Sequence, residues 1–270
     1  MKICFISTVF GDPTTIDRPA LFKKMDGCDY FLFTDHDASY FGETSWDIVN
    51  IKSNKNISEI DSNIIKSRYP KFMSWELLES MGKTYDYVFY CDTWTWPNIN
   101  MDWDAICKKV SQNKDFPLVQ SMHPNPKVRK NGIRGEVGLI LKLKRETKDS
   151  LDKTLSFMQS TAPEVNLSKS NYFYENTSFG YEFKSSIIRN FTKEFWKTYT
   201  TEDISFRDQP LWNFMLMKNK VRPFNFPLLK WQFKPKPPIR KTWMFGNCYF
   251  CHDYNLLNDS VRKNYNKGNE

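Results

Sequence analysis

The 270 residues, 40% of them hydrophobic and 26% charged, supply enough apolar material for a sizeable α/β core and exclude a chain disordered throughout. The net charge of +8, from 39 basic and 31 acidic residues, suits an anionic ligand such as a nucleoside diphosphate, or a nucleic-acid surface, without separating the two. No apolar run approaches the roughly 20 residues of a membrane span, and MKICFISTVFGDP lacks the long apolar region of an export signal, so the expectation is a cytoplasmic protein whose six cysteines are reduced.

In chain order, residues 2–8 read as a buried strand ended by Gly11-Asp12-Pro13, and a helix is expected after Pro19 with Leu21 and Phe22 facing inward. Residues 29–35 form a second apolar strand, stopping at Thr34-Asp35, and 46–51 a third. Pro70 opens a helix over 70–81, with Phe72, Trp75, Leu78 and Glu79 at helical spacing. Residues 85–90 are an aromatic-rich strand running into Cys91-Asp92. Short buried strands alternating with helices predict an open, largely parallel sheet, in which ligands sit at the carboxyl ends of strands. Thr8, Thr34, Asp35 and Asp92 occupy those ends.

Further along, 136–160 reads as one long helix, and 176–188 as a mixed strand that Gly180 breaks. Helices follow over 191–199 and from Asp208, whose Pro210 fits a first turn. From Lys230 the chain becomes WQFKPKPPIRK, extended and basic. The expected organisation is one α/β domain over 1–228 with a basic, Pro- and aromatic-rich extension over 229–270 packed on it.

An acidic residue ending an apolar strand, as in YDYVFYCD, is suited to hold a divalent cation that neutralises a diphosphate, or simply to cap a turn. The literal Asp-x-Asp at Asp102-Trp103-Asp104 precedes the helical run AICKKV, and helix capping explains it better. Cys248 to His252 has the spacing of haem attachment, but without an export signal or axial partner haem is set aside, as is zinc. His123 precedes a basic stretch with Arg129 and Arg134, read as a loop that closes over a pyrophosphate, steers an anionic acceptor, or is only a solvated basic loop. Arg68 and Lys71 are within reach of phosphates, Arg68 the better candidate because its fork binds oxyanions bidentately.

Nine short stretches in order, STVFGD, FTD, SRYPK, YDYVFYCD, SMHPNP, RGEV, ENTSFGYEFKSSIIRN, FWKTY and FRDQPLWNFML, span about residues 3 to 226. In this combination the chain resembles GT-A glycosyltransferases, specifically the TOD/MUCI-type glycosyltransferase-like domain. The resemblance implies an α/β, Rossmann-like GT-A fold, a mixed and mostly parallel sheet flanked by helices. It also implies a nucleotide-sugar donor, a UDP-sugar by expectation, and a divalent cation, Mn2+ or Mg2+. Thr8, Thr34 and Asp35 would line the nucleotide, Arg68 and Lys71 neutralise phosphate, and Asp92 hold the cation with His252 as a late ligand. Asp208 and Gln209 would lie beside the donor sugar, Asp208 as base, as stabiliser of an oxocarbenium-like centre, or as helix cap. The family's second acid is missing, since the stretch reads Asp92-Thr93-Trp94. The expected acceptor is a glycan hydroxyl; the alternatives are a modified base in DNA, and a non-catalytic nucleotide-sugar-binding module. Asp92→Asn and Asp208→Asn are both expected to melt within a few degrees of the wild type.

Overall fold

Runs of Ile, Val, Phe and Tyr buried on both faces make central strands, and β1 (Ile3–Val9) and β4 (Tyr87–Cys91) are buried at every position. The computed structural model describes residues 1–12, 16–170, 172–228 and 248–252. In it, β1 lies between β2 (Cys28–Thr34) and β4, with β3 (Asp47–Asn50) outside β2, all parallel. Beyond β4 come β7 (Tyr174–Glu182), β6 (Leu118–Met122) and β8 (Phe224–Asn225), giving a seven-stranded sheet in the order β3-β2-β1-β4-β7-β6-β8. Only β7 runs against its neighbours, so its first residues share an edge with the last residues of the others. The expected mixed, mostly parallel sheet flanked by helices is what the chain forms. A small second sheet pairs β5 (Thr95–Pro97) with β9 (Phe250–His252).

Helices cover both faces. One core joins α1 (Asn63–Ser80), α3 (Pro126–Lys142), α4 (Lys148–Thr161), α5 (Ser186–Thr201) and α6 (Asp208–Lys218) around Phe72, Phe195 and Trp212. The other packs α2 (Trp103–Gln112) with Phe5, Tyr30 and Phe250. Asp102 does cap α2, accepting from the Ala105 amide at 2.9 Å. No described helix is long and apolar enough to cross a membrane.

Several elements differ from expectation, each for a local reason. The helix after Pro19 does not form. The Ser45 hydroxyl bonds both the amide and the carbonyl of Phe22, at 2.6 and 2.5 Å, which holds that strand of chain irregular and leaves Leu21 exposed. Pro70 lies inside α1, which starts seven residues earlier behind the Ser62 cap. Having no N–H for the carbonyl four residues back, Pro70 weakens the ladder, and the helix kinks at Met73 (φ −113°, ψ 22°). The single helix over 136–160 is two, separated by a turn with Lys144 in the left-handed region (φ 52°) and restarted by the Thr147 cap. The basic stretch after His123 is helical too, since Asn125 caps it and Pro126 takes its first position.

Gly180 does not break its strand. It lies within β7 opposite Phe89, where a Cβ would come within 2.2 Å of the Phe89 ring. Gly180→Ala is therefore expected to destabilise the fold by about 2 kcal/mol through overpacking. Urea unfolding measures this, and an unchanged midpoint would mean that the Phe89 ring can move aside at no cost.

Candidate functional site

The sheet changes direction of growth at β1, with β2 laid on one side and β4 on the other. At such a switch point the loops diverge and leave a crevice at the carboxyl ends. Thr8 is the next-to-last residue of β1 and Asp92 follows β4, and Thr93 ties the two ends by donating its hydroxyl to the Thr8 carbonyl at 3.1 Å. Thr8 in turn donates to the Ser67 carbonyl at 2.9 Å, fixing the first half of α1 beside this crevice.

That contact brings Arg68 and Lys71 inward. Asp208, in the first turn of α6, receives both: Arg68 Nε lies 3.2 Å from Oδ1 and Lys71 Nζ 3.0 Å from Oδ2. Asn176 of β7 donates to the same Oδ2 at 3.0 Å, and its own amide N–H donates to Gln209 Oε1 at 3.1 Å. Gln209 passes the chain on, donating to Glu136 Oε1 at 2.9 Å, and Glu136 Oε2 faces His123 Nε2 at 3.3 Å. Below, Gln120 donates to Asn176 at 2.8 Å and accepts from Trp212 at 3.0 Å, anchoring the network to the core. The reversal of β7 makes this possible, because it delivers Asn176 to the edge where β4 and β6 end.

Burial sets the electrostatics. It opposes ionisation of Asp208, but Lys71 and Arg68, with Asn176 donating, hold the carboxyl well below its ordinary range. Lys71 is pushed down by burial, with Asp208 resisting. Asp92 is half-buried and shifted up by desolvation, against the pull of Lys71, of the Tyr90 hydroxyl that donates to it at 2.7 Å, and of Arg68. Burial raises Glu136 to about 7, with Arg145 and Arg207 opposing it. Burial lowers His123 to about 4, and its Nδ1 accepts from the Asn125 amide at 3.2 Å. A neutral His123 therefore carries its proton on Nε2, toward Glu136.

Of the residues singled out from sequence, Thr8, Arg68, Lys71, Asp92, Asp208 and Gln209 converge here, and His123 joins through Glu136. Asp208 is not the cap of its helix, since Arg207 holds that position, and its carboxylate is spent on the two cations. Thr34 and Asp35 shape the neighbouring loops. Thr34 accepts from the His36 amide at 3.3 Å, while Asp35 accepts from the Gly11 amide at 3.3 Å and lies 3.3 Å from His36. Arg129 is half-buried on α3 and its charge helps lower His123, whereas Arg134 is exposed and lines a different hollow with Glu164. His252 pairs with Thr95 through the backbone, three residues from Asp92; its side chain lies outside the described residues.

Sequence reasoning missed Glu136 and Asn176. Both stand in stretches that carried the resemblance, RGEV and ENTSFGY, but nothing local marks them as site residues. Among the described residues no three His, Cys, Asp or Glu side chains converge as a metal cage. Asp92 fits a lesser demand, because a cation bridging a diphosphate takes most of its ligands from phosphate and water and needs one or two protein carboxylates. Comparison with known proteins finds no matching family model and no matching curated protein.

Proposed function

We propose that the chain is a glycosyltransferase of GT-A type that moves a sugar from a nucleoside diphosphate, a UDP-sugar by preference, to a glycan hydroxyl. The observation that carries this reading is the pair of cations, the buried Lys71 and the half-buried Arg68, beside Asp92 at the crevice between β1 and β4. A parallel sheet's switch point is the usual seat of a nucleotide, and buried positive charge is what a diphosphate leaving group requires. The order of the sequence stretches supports the same reading.

In the transfer, the acceptor oxygen bonds to the anomeric carbon as that carbon's bond to the diphosphate oxygen breaks, and the proton of the acceptor hydroxyl passes to the departing diphosphate. Arg68 and Lys71 would stabilise the departing diphosphate. A divalent cation, when bound, supplies further charge neutralisation, and Asp92, with His252 nearby in the chain's path, would hold it. Asp208 is a weak base while two cations hold its carboxyl low, so stabilising positive charge on the sugar is the better of its roles. Gln209 and Asn176 hold that carboxylate in place.

Arg68→Gln is expected to weaken UDP binding about tenfold or more, the scale of a lost charge-assisted hydrogen bond, and to leave uridine binding unchanged. Calorimetry with both ligands, with and without manganese, gives the answer. Donor hydrolysis should be screened across UDP- and GDP-sugars in parallel. A wild-type chain that neither binds a nucleotide nor turns over any donor would sink the proposal.

A further inference from the structure

A cavity of about 380 Å³ lies beyond the network just described, between the last turns of α6, the approach to β7 and the segment leading to β8. Its lining includes Lys169, Lys220 and Arg222, with Tyr172, Tyr174 and Leu216 as its less polar walls. No acidic residue lines it among the described residues, and none of the three cations makes a salt bridge there. The guanidinium of Arg222 lies 4.2 Å over the Tyr172 ring, a stacked position that fixes the fork before any ligand arrives. Lys220 is held in the left-handed backbone region at φ 53°, and the Tyr174 hydroxyl donates to the Pro223 carbonyl at 3.2 Å, clamping the segment that carries Arg222.

The cavity and the candidate site share two elements. Asn213, which lines the cavity, follows Asp208 on α6 by five residues, about 7.5 Å along the axis. Its side chain bonds both the amide and the carbonyl of Tyr174, at 2.7 and 2.9 Å, and Tyr174 precedes Asn176 by two residues on β7. Between the two, α6 is buried from Pro210 to Leu216, so the cavity is a site of its own.

We propose that this cavity binds an acidic oligosaccharide whose carboxylate, sulfate or phosphate groups meet Lys169, Lys220 and Arg222. The charge excess calls for an anion, and the concave shape and size suit a short saccharide segment better than a duplex, which needs a basic stripe along its phosphates.

The test is calorimetric titration of the full-length protein with three probes: a hyaluronate hexasaccharide, neutral maltohexaose and a 12-base-pair DNA duplex. The expected result is binding of hyaluronate alone, weakened about tenfold or more in Lys220→Ser/Arg222→Ser, with less binding at high salt. No hyaluronate binding at millimolar concentration, equal binding of maltohexaose, or an unchanged affinity in the double variant overturns the proposal. Preferential binding of the duplex, lost in the same variant, would also overturn it by giving the cavity to nucleic acid. A UDP titration of the same wild-type sample keeps the two ideas apart. Hyaluronate binding without UDP binding would retain an acidic-saccharide site and remove the preference for a UDP-sugar donor, whereas UDP binding without hyaluronate binding would do the reverse.

Discussion

Asp208→Asn is expected to destabilise the protein by about 3 kcal/mol, because it leaves Lys71 buried, and Arg68 half-buried, without their shared counter-charge. The sequence alone led to the opposite expectation, since asparagine keeps the volume and most of the hydrogen bonding. What changes the answer is that Asp208 is the shared partner of a buried cation, Lys71, and a half-buried one, Arg68. The pH dependence follows from the same contact. The folded carboxyl is held below its unfolded value of about 3.9, so its contribution is present above that pH and is lost as the pH falls. The asparagine variant should lack this part of the acid transition. Urea unfolding between pH 3 and pH 7 reads both effects. Adding Lys71→Met to Asp208→Asn should restore part of the loss, since a neutral side chain of similar length no longer needs a partner. If Asp208→Asn unfolds with the wild type at pH 7, the two cations are sustained by something other than Asp208.

The pair formed by Glu136 and His123 predicts a compensation that single variants unmask. Burial raises Glu136 from 4.5 to about 7. Its contribution is fully present below the unfolded value and is lost as the pH rises through the folded one, so stability falls between those values. Burial lowers His123 from 6.5 to about 4. The folded state then binds that proton less well than the unfolded chain, and stability rises across the same range. In the wild type the two slopes oppose each other and nearly cancel from about pH 4.5 to pH 6.5. Glu136→Gln should uncover the His123 slope, with stability rising by about 3 kcal/mol as the pH climbs from 4 to 6.5. His123→Asn should uncover the reverse, a fall between 4.5 and about 7. Parallel profiles for all three proteins would mean that the two groups do not titrate in the folded state as their burial requires.

Strands β1, β2 and β4 were legible because each is a short apolar run, and doubly buried strands need no alternation to be recognised, whereas β5, β6, β8 and β9 have no such signal of their own. Thr8 and Asp92 followed from the rule that parallel sheets use their carboxyl ends, and Arg68 and Lys71 from their charge and the oxyanion-binding fork of Arg68. Asn176 and Glu136 were not legible for a different reason. Their membership depends on β7 being reversed and inserted between β4 and β6, a pairing that no local pattern records. The errors in the helices share one origin as well. Pro70 carries a strong preference for a first helical turn, yet the helix begins at Ser62-Asn63, ahead of any apolar period. Packing of Tyr69, Phe72 and Trp75 into the core makes the kink tolerable. Gly180 was taken for a breaker because its partner, the Phe89 ring, stands about 90 positions away in the chain.

The late arrival of β7 also governs how the molecule can assemble as it is synthesised. When Cys91 has emerged, β4 can pair with β1, but its other edge has no partner until Glu182 has been made. At about 5 to 20 residues per second, the intervening stretch of about 90 residues takes on the order of 5 to 20 s. Throughout that interval the nascent chain offers the open edge of YVFYC, a flat, aromatic, uncharged strand of the kind that pairs with other chains. The strand that completes the candidate site is thus also the one that closes this edge, and yield from a cell should respond to translation speed and to holdase chaperones between those two positions.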